Sequence, residues 1–493
     1  MSFVLALDEG TTSARAALYD REGRRFAMES LPIDSAFPQP GWVEQDPEQI
    51  WTAQLESARR TLLTGKVEAA NLAALGITNQ RETTIVWDRH SGKPVSPAIV
   101  WQCRRTAEYC RQLAASPEAN AIVEKTGLVI DAYFSGSKIR WILQNVPGCR
   151  SRAANGDLLF GNVDTWLIWK LTNGQVHVTD HSNASRTMLM NLDSGAWDDE
   201  LLRLFEIPQA MLPRIVKSSE VVGNAAPEHL GAEVPIAGIA GDQQAALAGQ
   251  ACFRPGLSKN TYGTGCFALM HTGGKRAHSR HRLLGTRAAS VSEAAFAVEG
   301  SVFVAGAAVQ WLRDQLGILR TAAESAEVAA LVPDTGGVYL VPAFVGLGAP
   351  YWDSDARGMI TGITRATGKE HIVRATLESI AYQTRELVDA MEADAGEPLQ
   401  ELRVDGGAAG NDFLMQFQAD ILGRPIVRPV DVETTALGAA YLAGLATGFW
   451  NTTGELENFW RADRTYEPSM SASRRDDLLA GWKTAVRRAI AKV

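Results

Sequence analysis

The apolar residues of this chain fall into short runs that end near glycine and longer stretches with helical spacing. Two apolar runs, residues 3–7 and 14–19, flank the polar segment from Asp8 to Arg15. Runs of this length predict strands, and the Gly, Thr and Ser residues between them predict a hairpin turn rich in hydroxyl groups. Because strand-like runs alternate with helical stretches throughout the chain, the pattern predicts an α/β protein.

The pattern of strand, turn and strand returns about half a chain later. Residues 260–270 again hold two apolar runs separated by a Gly/Thr turn, and two further strands lead into Asp242 and Asp405, each beside glycine and before a helix. This repetition predicts two similar domains, 1–250 and 251–493. We expect the domains to face each other across a cleft, where α/β proteins commonly bind ligands.

Helical spacing of apolar residues predicts helices at 370–391, from Asn411 to Gly423, and around Trp482 near the C-terminus. The apolar stripes of these helices are typical of core packing, and we assign them no chemistry. Residues 227–232 and 273–287 instead predict exposed loops.

Composition narrows the class of protein. A length of 493 residues exceeds what one hydrophobic core supports, and no apolar run approaches the roughly 18 residues of a membrane span. The first residues lack the basic start of a secretory signal, so we expect a cytoplasmic protein without membrane insertion. The net charge of -8 argues against nucleic acid as a partner. Five scattered cysteines predict reduced thiols rather than a disulfide framework or a zinc site.

The segment from Asp8 to Arg15 combines an acidic residue, a glycine, three consecutive hydroxyl residues and a cation. Glycine lets the backbone approach phosphate, hydroxyl and N–H groups donate to phosphate oxygens, and a carboxylate holds Mg²⁺. The segment therefore predicts a phosphate site, with an ordinary turn as the alternative. No Gly-x-x-x-x-Gly-Lys-Ser/Thr motif is present, and the Gly-x-Gly-x-x-Ala match at 263–268 lacks the helix and acidic residue of a dinucleotide site. These absences argue against P-loop proteins and oxidoreductases.

Several segments resemble the FGGY carbohydrate kinase family, and among its members those that phosphorylate glycerol. The resemblance implies the fold of the actin, hexokinase and Hsp70 superfamily, with two duplicated ribonuclease H-like ATPase domains. It also implies a kinase that uses ATP and Mg²⁺ to convert glycerol to sn-glycerol 3-phosphate. Because members of the family are commonly dimers or tetramers, we expect a homodimer or homotetramer. The segments that carry the resemblance are residues 5–13, 76–84, 99–105, 133–141, 241–245 and 346–353.

By this resemblance, ATP contacts come from both domains, and Asp8 is a Mg²⁺ ligand. The chain departs from its relatives at Asp412, where a second asparagine is usual. A carboxylate cannot donate as an amide does, so an adenine contact that needs an amide N–H would be lost there. The implied ATP residues are Thr11, Thr12, Ser13 and Arg15 in the first domain and Thr264, Gly306, Gln310, Gly407, Ala408 and Asn411 in the second.

Glycerol has three hydroxyls and little apolar surface, so its site needs paired donors and acceptors beside a wall that excludes water. From the residues alone, Arg81 and Glu82 would be a surface ion pair. The resemblance makes them glycerol ligands instead. The full implied set is Arg81, Glu82, Tyr133, Asp242 and Gln243 as ligands of the hydroxyls, with Trp101 and Phe267 as the apolar wall.

Phosphoryl transfer also needs a carboxylate that accepts the proton of the attacking hydroxyl. Asp242 follows an apolar run and precedes a helix, which predicts a position at the carboxyl end of a strand beside the cleft. We expect it to act as the general base and to contact Mg²⁺. The alternatives are that Asp242 only caps the following helix and that Asp8 only closes a turn.

Two other functions remain open at this point. Another FGGY kinase, acting on a pentulose or on gluconate, would share the fold, although Arg81, Glu82 and Trp101 resemble the members that act on glycerol. A nucleotide-gated binding protein of the actin or Hsp70 kind would not need a polyol pocket. Its ATP hydrolysis would not change when glycerol is added.

Overall fold

Two large mixed β-sheets form the centres of the two halves of the chain. The computed structural model describes residues 2–353 and 355–490. Its strands are Phe3–Glu9 (β1), Ser13–Tyr19 (β2), Arg25–Pro32 (β3), Glu44–Gln45 (β4), Leu72–Asn79 (β5), Ile85–Asp88 (β6), Ala98–Ile99 (β7), Leu158–Gly161 (β8), Val178–Asp180 (β9), Met190–Asn191 (β10), Ala196–Trp197 (β11), Arg214–Val216 (β12), Ser219–Ala225 (β13), Val234–Gly241 (β14), Leu257–Tyr262 (β15), Cys266–Gly273 (β16), Leu284–Arg287 (β17), Phe296–Val302 (β18), Tyr339–Val341 (β19), Met359–Thr361 (β20), Glu401–Asp405 (β21), Ile426–Pro429 (β22) and Ala462–Tyr466 (β23).

Helices cover these sheets and connect their strands. Short 3₁₀ turns lie at Ala69–Asn71, Gln209–Met211 and Gly407–Gly410. The α-helices are Pro47–Gly65 (α1), Ala107–Ala114 (α2), Ala119–Thr126 (α3), Ser135–Asn145 (α4), Cys149–Ala154 (α5), Val163–Leu171 (α6), His181–Ala184 (α7), Asp199–Leu204 (α8), Pro227–Leu230 (α9), Asp242–Gly249 (α10), Gly306–Asp314 (α11), Glu324–Ala329 (α12), Lys369–Ala395 (α13), Asp412–Leu422 (α14), Thr434–Ala446 (α15), Thr453–Phe459 (α16) and Ala472–Ile490 (α17).

The two large sheets have matching topologies. The first has the order β13-β14-β5-β1-β2-β3, in which β1, β2 and β3 are antiparallel neighbours and β1, β5 and β14 are parallel. The second has the order β17-β18-β16-β15-β21-β22-β23, in which β15, β16 and β18 are antiparallel neighbours and β15, β21 and β22 are parallel. This repeated arrangement confirms the predicted duplicated α/β fold.

Burial explains why the central strands are visible in the sequence. Strands β1, β5 and β14 are almost fully buried, because helices cover both faces of the first sheet. A strand buried on both faces reads as a continuous apolar run rather than an alternating one.

Three predicted helices are confirmed. Helix α13 contains the predicted stretch 370–391 and extends it at both ends, and α14 ends at Gly423, which has a φ of 65°. Helix α17 buries Trp482 and Val486 in the core of the second half. All five cysteines are buried free thiols. No helix in the described part of the chain is long and apolar enough to cross a membrane.

The prediction of two exposed loops is partly wrong. Within 227–232, the residues Pro227–Leu230 form α9, which begins with proline and ends at Gly231. Within 273–287, the last four residues form β17, which pairs with β18, and all four are buried where this strand packs against the first half of the chain. Both segments are rich in turn-forming residues, so the sequence pattern did not predict these short elements.

Helix α15 comes from the second half of the chain but lies on the first sheet, where it packs against β1, β5 and β14 and crosses α10. A Cβ added to Gly438 would lie 1.8 Å from Ala245 O, and one added to Gly76 would lie 2.2 Å from Ala439 O. No side chain fits at such distances, so both positions require glycine. These contacts of backbone against backbone join the two halves.

Candidate active site

The parallel strands of the first sheet bring three predicted site residues to one edge. Asp8 in β1 pairs with Thr78 near the end of β5, and Ala240 near the end of β14 pairs with the same residue. Arg81 follows the end of β5, and Asp242 follows the end of β14. Because parallel strands end at the same edge of a sheet, these residues become neighbours although they are far apart in the sequence.

Asp8 lies within β1, opposite Arg15 of β2, so the alternative that it only closes a turn is wrong. Its Oδ2 atom lies 3.3 Å from Arg15 Nε, and Arg15 Nη1 donates to Glu433 Oε2 at 2.9 Å. Burial raises the pKa of Asp8 to about 6, although the charge of Arg15 opposes this shift. Within the described residues, Asp8 Oδ2 is buried without a hydrogen bond. Such an oxygen fits Mg²⁺ or one of its water ligands.

The hydroxyl-rich turn between β1 and β2 is held by side chains from outside it. Gln45 Nε2 donates to Thr11 O at 2.6 Å, and Trp101 Nε1 donates to Thr11 Oγ1 at 2.9 Å. Thr12 is exposed, whereas Thr11 and Ser13 are half-buried. The turn therefore presents accessible hydroxyl groups on a fixed backbone, which suits the binding of phosphate.

Asp242 is the first residue of α10 and stands at the carboxyl end of β14. Its Oδ1 atom accepts a hydrogen bond from the backbone N–H of Gln243 at 2.7 Å and lies 3.0 Å from Arg81 Nε. The Asp242 side chain is 31% exposed, whereas that of Arg81 is 2% exposed. A partly accessible carboxylate of this kind can take a proton from a hydroxyl group bound next to it.

Arg81 and Glu82 are both buried, so the alternative of a surface ion pair is wrong. Arg81 donates from Nη1 to Glu299 Oε2 at 2.6 Å and from Nη2 to Glu299 Oε1 at 3.0 Å. Glu82 instead accepts a hydrogen bond from Arg186 Nε at 2.6 Å, and Arg186 Nη2 donates to Glu299 Oε1 at 3.2 Å. Burial raises the pKa of Glu82, whereas Arg186 and Arg81 overcome the effect of burial on Glu299 and lower its pKa to about 2.

The remaining predicted polyol residues lie around this group. Tyr133 Oη accepts a hydrogen bond from Arg81 Nη2 at 3.4 Å, and its ring contacts Trp101 edge to face with 5.6 Å between centroids. Gln243 accepts a hydrogen bond from Lys259 of the second sheet. Phe267 is half-buried on β16 and has no aromatic partner among the described residues.

The predicted nucleotide residues of the second half lie near one edge of its sheet. Strands β15 and β21 are parallel, with Thr261 opposite Asp405, so the turns that follow them are neighbours. At the start of α11, Gly306 N donates to Gly263 O at 3.0 Å. Thr264, Gln310 and Gly407 are exposed, whereas Gly306, Ala408 and Asn411 are half-buried.

The carboxylate of Asp412 is engaged by the second half itself. It accepts hydrogen bonds from Tyr466 at 2.5 Å, Arg464 at 2.6 Å and Arg428 at 3.0 Å. The hydrogen bond from Tyr466, followed by those from its arginine neighbours, lowers the pKa of Asp412. Asn411 caps α14 by accepting from Leu414 N. Asp412 is therefore an ion-pair residue and stays ionised.

Four residues of the site escaped the sequence analysis: Arg186, Lys259, Glu299 and Glu433. Glu299 had a signal, since it is the single charged residue in the apolar strand Phe296–Val302, and such a residue usually has a partner. Lys259 is similarly buried in β15, and burial lowers its pKa to about 8 against the charges of Asp405 and Asp242. Arg186 and Glu433 lie in polar segments that carry no local signal.

Residues 3–249 match the N-terminal domain of the FGGY family of carbohydrate kinases, and residues 258–447 match its C-terminal domain. The chain belongs to this family. This finding confirms the resemblance inferred from the sequence and agrees with the two matching sheets.

Similar proteins within the family are glycerol kinases. Glycerol kinase 2 of Thermotoga maritima is 58% identical over 491 residues, which cover 99% of this chain and 99% of that protein. The glycerol kinase of Symbiobacterium thermophilum is 59% identical over 488 residues, which cover 99% of this chain and 98% of that protein. The crystal structure of Plasmodium falciparum glycerol kinase with ADP has a TM-score of 0.94 at 37% identity and covers 100% of this chain and 99% of its own.

Proposed function

We propose that this protein transfers the γ-phosphoryl group of ATP to a terminal hydroxyl of glycerol and forms sn-glycerol 3-phosphate, the first step of glycerol use. The observation that carries the proposal is the convergence of Arg81, Glu82 and Asp242 at the sheet edge that also bears the hydroxyl-rich turn. Identities of 58% and 59% to glycerol kinases over nearly the whole chain support it.

The polyol would be held by groups that both donate and accept. Arg81 and Tyr133 donate to hydroxyl oxygens, whereas Glu82 accepts from hydroxyl groups. Gln243 can do both. The contacting rings of Trp101 and Tyr133 form one wall, and Phe267 would close the other side from the second sheet. This arrangement suits a small molecule in which every carbon carries a hydroxyl group.

Asp242 is the proposed general base. Because its Oδ1 atom takes the contacts with Arg81 and with the N–H of Gln243, we assign the proton-accepting role to Oδ2. The two Oδ1 contacts hold the carboxylate in one orientation, so the attacking hydroxyl meets a positioned acceptor.

The nucleotide would bind between the two halves. Mg²⁺ carried with ATP would supply charge neutralisation at the phosphates. Asp8 would hold the ion, directly or through water, and Asp242 would lie close to it. The phosphates would accept hydrogen bonds from Thr11, Thr12, Ser13, Arg15 and Thr264, and the rest of the nucleotide would lie along Gly306, Gln310, Gly407, Ala408 and Asn411.

Replacing the base tests the proposal directly. We expect Asp242→Asn to lower kcat for glycerol phosphorylation by about 10²-fold or more, because an amide cannot accept the proton. Initial rates of ADP release, with glycerol 3-phosphate identified as the product, measure this loss. The exposed Asp34→Asn is the matched control and should keep the rate of the unaltered protein. Normal turnover by Asp242→Asn would contradict the assignment.

A substrate panel separates the other members of the family. We expect kcat/KM for glycerol to exceed that for xylulose and for gluconate, since the site offers polar partners for a three-carbon chain. A higher kcat/KM for xylulose or gluconate would assign the protein a different substrate, and phosphoryl transfer from ATP would still stand. ATP hydrolysis that glycerol does not stimulate would favour the nucleotide-gated binding protein.

Three further expectations complete the proposal. We assign residues 1–250 to an N-terminal domain with the polyol site and the phosphate turn, and residues 251–493 to a C-terminal domain with the nucleotide site. We expect a homodimer or homotetramer. Because ATP is the phosphoryl donor, we expect the protein to work in the cytoplasm.

A further inference from the structure

A group of four buried charges spans the two halves behind the proposed polyol site. Arg81, Glu82 and Arg186 come from the first half, whereas Glu299 comes from β18 of the second sheet. The side chains of Arg186 and Glu299 are fully buried. Buried charges are costly unless they are paired, so each of these four side chains has to keep a fixed orientation toward its partners.

Glu299 contacts both arginines of this group. Its two carboxylate oxygens accept from Nη1 and Nη2 of Arg81, and Oε1 also accepts from Arg186. Arg186 uses its Nε to donate to Glu82 at 2.6 Å. The Arg186 guanidinium also lies 5.5 Å from the ring centroid of Tyr133. One carboxylate thereby fixes Arg81 directly and Glu82 through Arg186.

We propose that Glu299 is the positioning residue of the polyol site, which orients Arg81 and Glu82 from the opposite half of the protein. The inference rests on the proposed function, in which those two residues bind the hydroxyls of glycerol. Through Glu299, the second half would control the geometry of a site whose hydroxyl ligands belong to the first half.

The charges explain what Glu299 prevents. With Glu299 present, two arginines share two glutamates, and Arg81 points its Nη atoms at Glu299 and only its Nε at Asp242. Without Glu299, the Nη atoms of Arg81 would lose their carboxylate, and the guanidinium would turn toward the two acids that remain beside its Nε atom, Asp242 at 3.0 Å and Glu82 at 3.9 Å. Arg186 would keep only Glu82. Both polyol ligands would then leave their present orientation.

The test compares Glu299→Gln with the unaltered protein. We expect the KM for glycerol to rise about 10-fold or more, because small displacements of positioned groups cost this much, while the KM for ATP stays within about twofold. Arg186→Lys is the second variant, because it keeps the charge but replaces the separate Nε and Nη2 donors to Glu82 and Glu299 by a single ammonium group. It should also raise the KM for glycerol selectively.

Glu378→Gln is the matched control. Glu378 is a buried carboxylate on α13 of the second half, where it accepts a hydrogen bond from Arg374 at 2.8 Å. We expect this variant to lower the melting temperature without changing the KM for glycerol. The inference about Glu299 would be overturned if the KM for glycerol were unchanged in both Glu299→Gln and Arg186→Lys, or if the KM values for glycerol and ATP rose equally. Neither outcome would affect the proposed function. Failure of the unaltered protein to phosphorylate glycerol would overturn the proposed function.

Discussion

Replacing Asp164 by asparagine should remove the contribution that this one carboxyl group makes to the pH dependence of stability between about pH 4 and pH 8. Asp164 is fully buried in the first turn of α6, where its Oδ2 atom accepts a hydrogen bond from Thr179 Oγ1 at 2.6 Å. Among the described residues, its buried Oδ1 atom has no hydrogen-bond partner. Ionisation therefore places a poorly solvated charge inside the first half.

Burial raises the pKa of Asp164 from 3.8 to about 7, although the hydrogen bond from Thr179 opposes this shift. Between these two values the folded protein keeps a proton that the unfolded chain has released. The free energy of unfolding therefore falls as pH rises through this window and reaches its lower level above pH 7. A shift of about three units corresponds to a loss of ~4 kcal/mol.

Asparagine does not ionise, but its amide group would leave a buried donor without a partner, at a cost of ~1–3 kcal/mol. We therefore expect Asp164→Asn to be less stable than the unaltered protein by about this amount below about pH 4, close to it in stability near pH 5, and more stable by ~1–3 kcal/mol near pH 8. Urea unfolding followed by circular dichroism at several pH values measures the difference.

The control for this series is Asp88→Asn. Hydrogen bonds from the backbone and side chain of Ser91 lower the pKa of Asp88 to about 2, so its titration lies below the tested range. The stability of Asp88→Asn relative to the unaltered protein should not change between pH 5 and pH 8. If the difference for Asp164→Asn were equally flat, the reasoning from burial would be refuted.

Two further substitutions test the cleft. In Gly306→Ala, the new Cβ would lie 2.6 Å from Gly263 O and would displace the turn that carries Thr264; we expect the KM for ATP to rise about tenfold, as ~1–3 kcal/mol of overpacking implies. Gly454→Ala, whose Cβ would meet nothing closer than 3.7 Å, is the control, and equal KM values in both variants would contradict the expectation. Lys259→Met removes the donor that holds Gln243, so the KM for glycerol should rise about fivefold, the equivalent of one hydrogen bond. Steady-state kinetics at saturating ATP measure the KM for glycerol. An unchanged value would rule out this role of Lys259.

Much of the fold could be predicted because its central strands are buried on both faces. Strands β1, β5 and β14 therefore carry continuous apolar runs, and each ends close to a residue of the site. Helix α15 could not be placed, because Thr434–Ala446 is apolar on every face and shows no amphipathic period. Its position on the first sheet depends on glycines in distant segments, which no local pattern reveals.

The site was predictable only where a motif or a strand end marked it. Asp8 and Asp242 follow from strand ends, and the roles assigned to Arg81 and Glu82 came from the family resemblance. The sequence alone indicated that those two residues pair with each other. In the structure Arg81 Nε lies 3.9 Å from Glu82 Oε1, but the shortest contacts of the two residues are with Glu299 and Arg186 respectively, which lie far away in the sequence. Such pairing depends on tertiary structure, so periodicity and spacing contain no information about it.

The position of α15 limits how halves of different relatives can be recombined. A chimera joined at the middle of the sequence would lay a foreign helix across the first sheet, where even one methyl group in place of a hydrogen on Gly438 or Gly76 has no room. A workable exchange would have to move α15 together with the sheet that it covers. The boundary between the two halves of the sequence is therefore not the boundary between the two packed units of the folded protein.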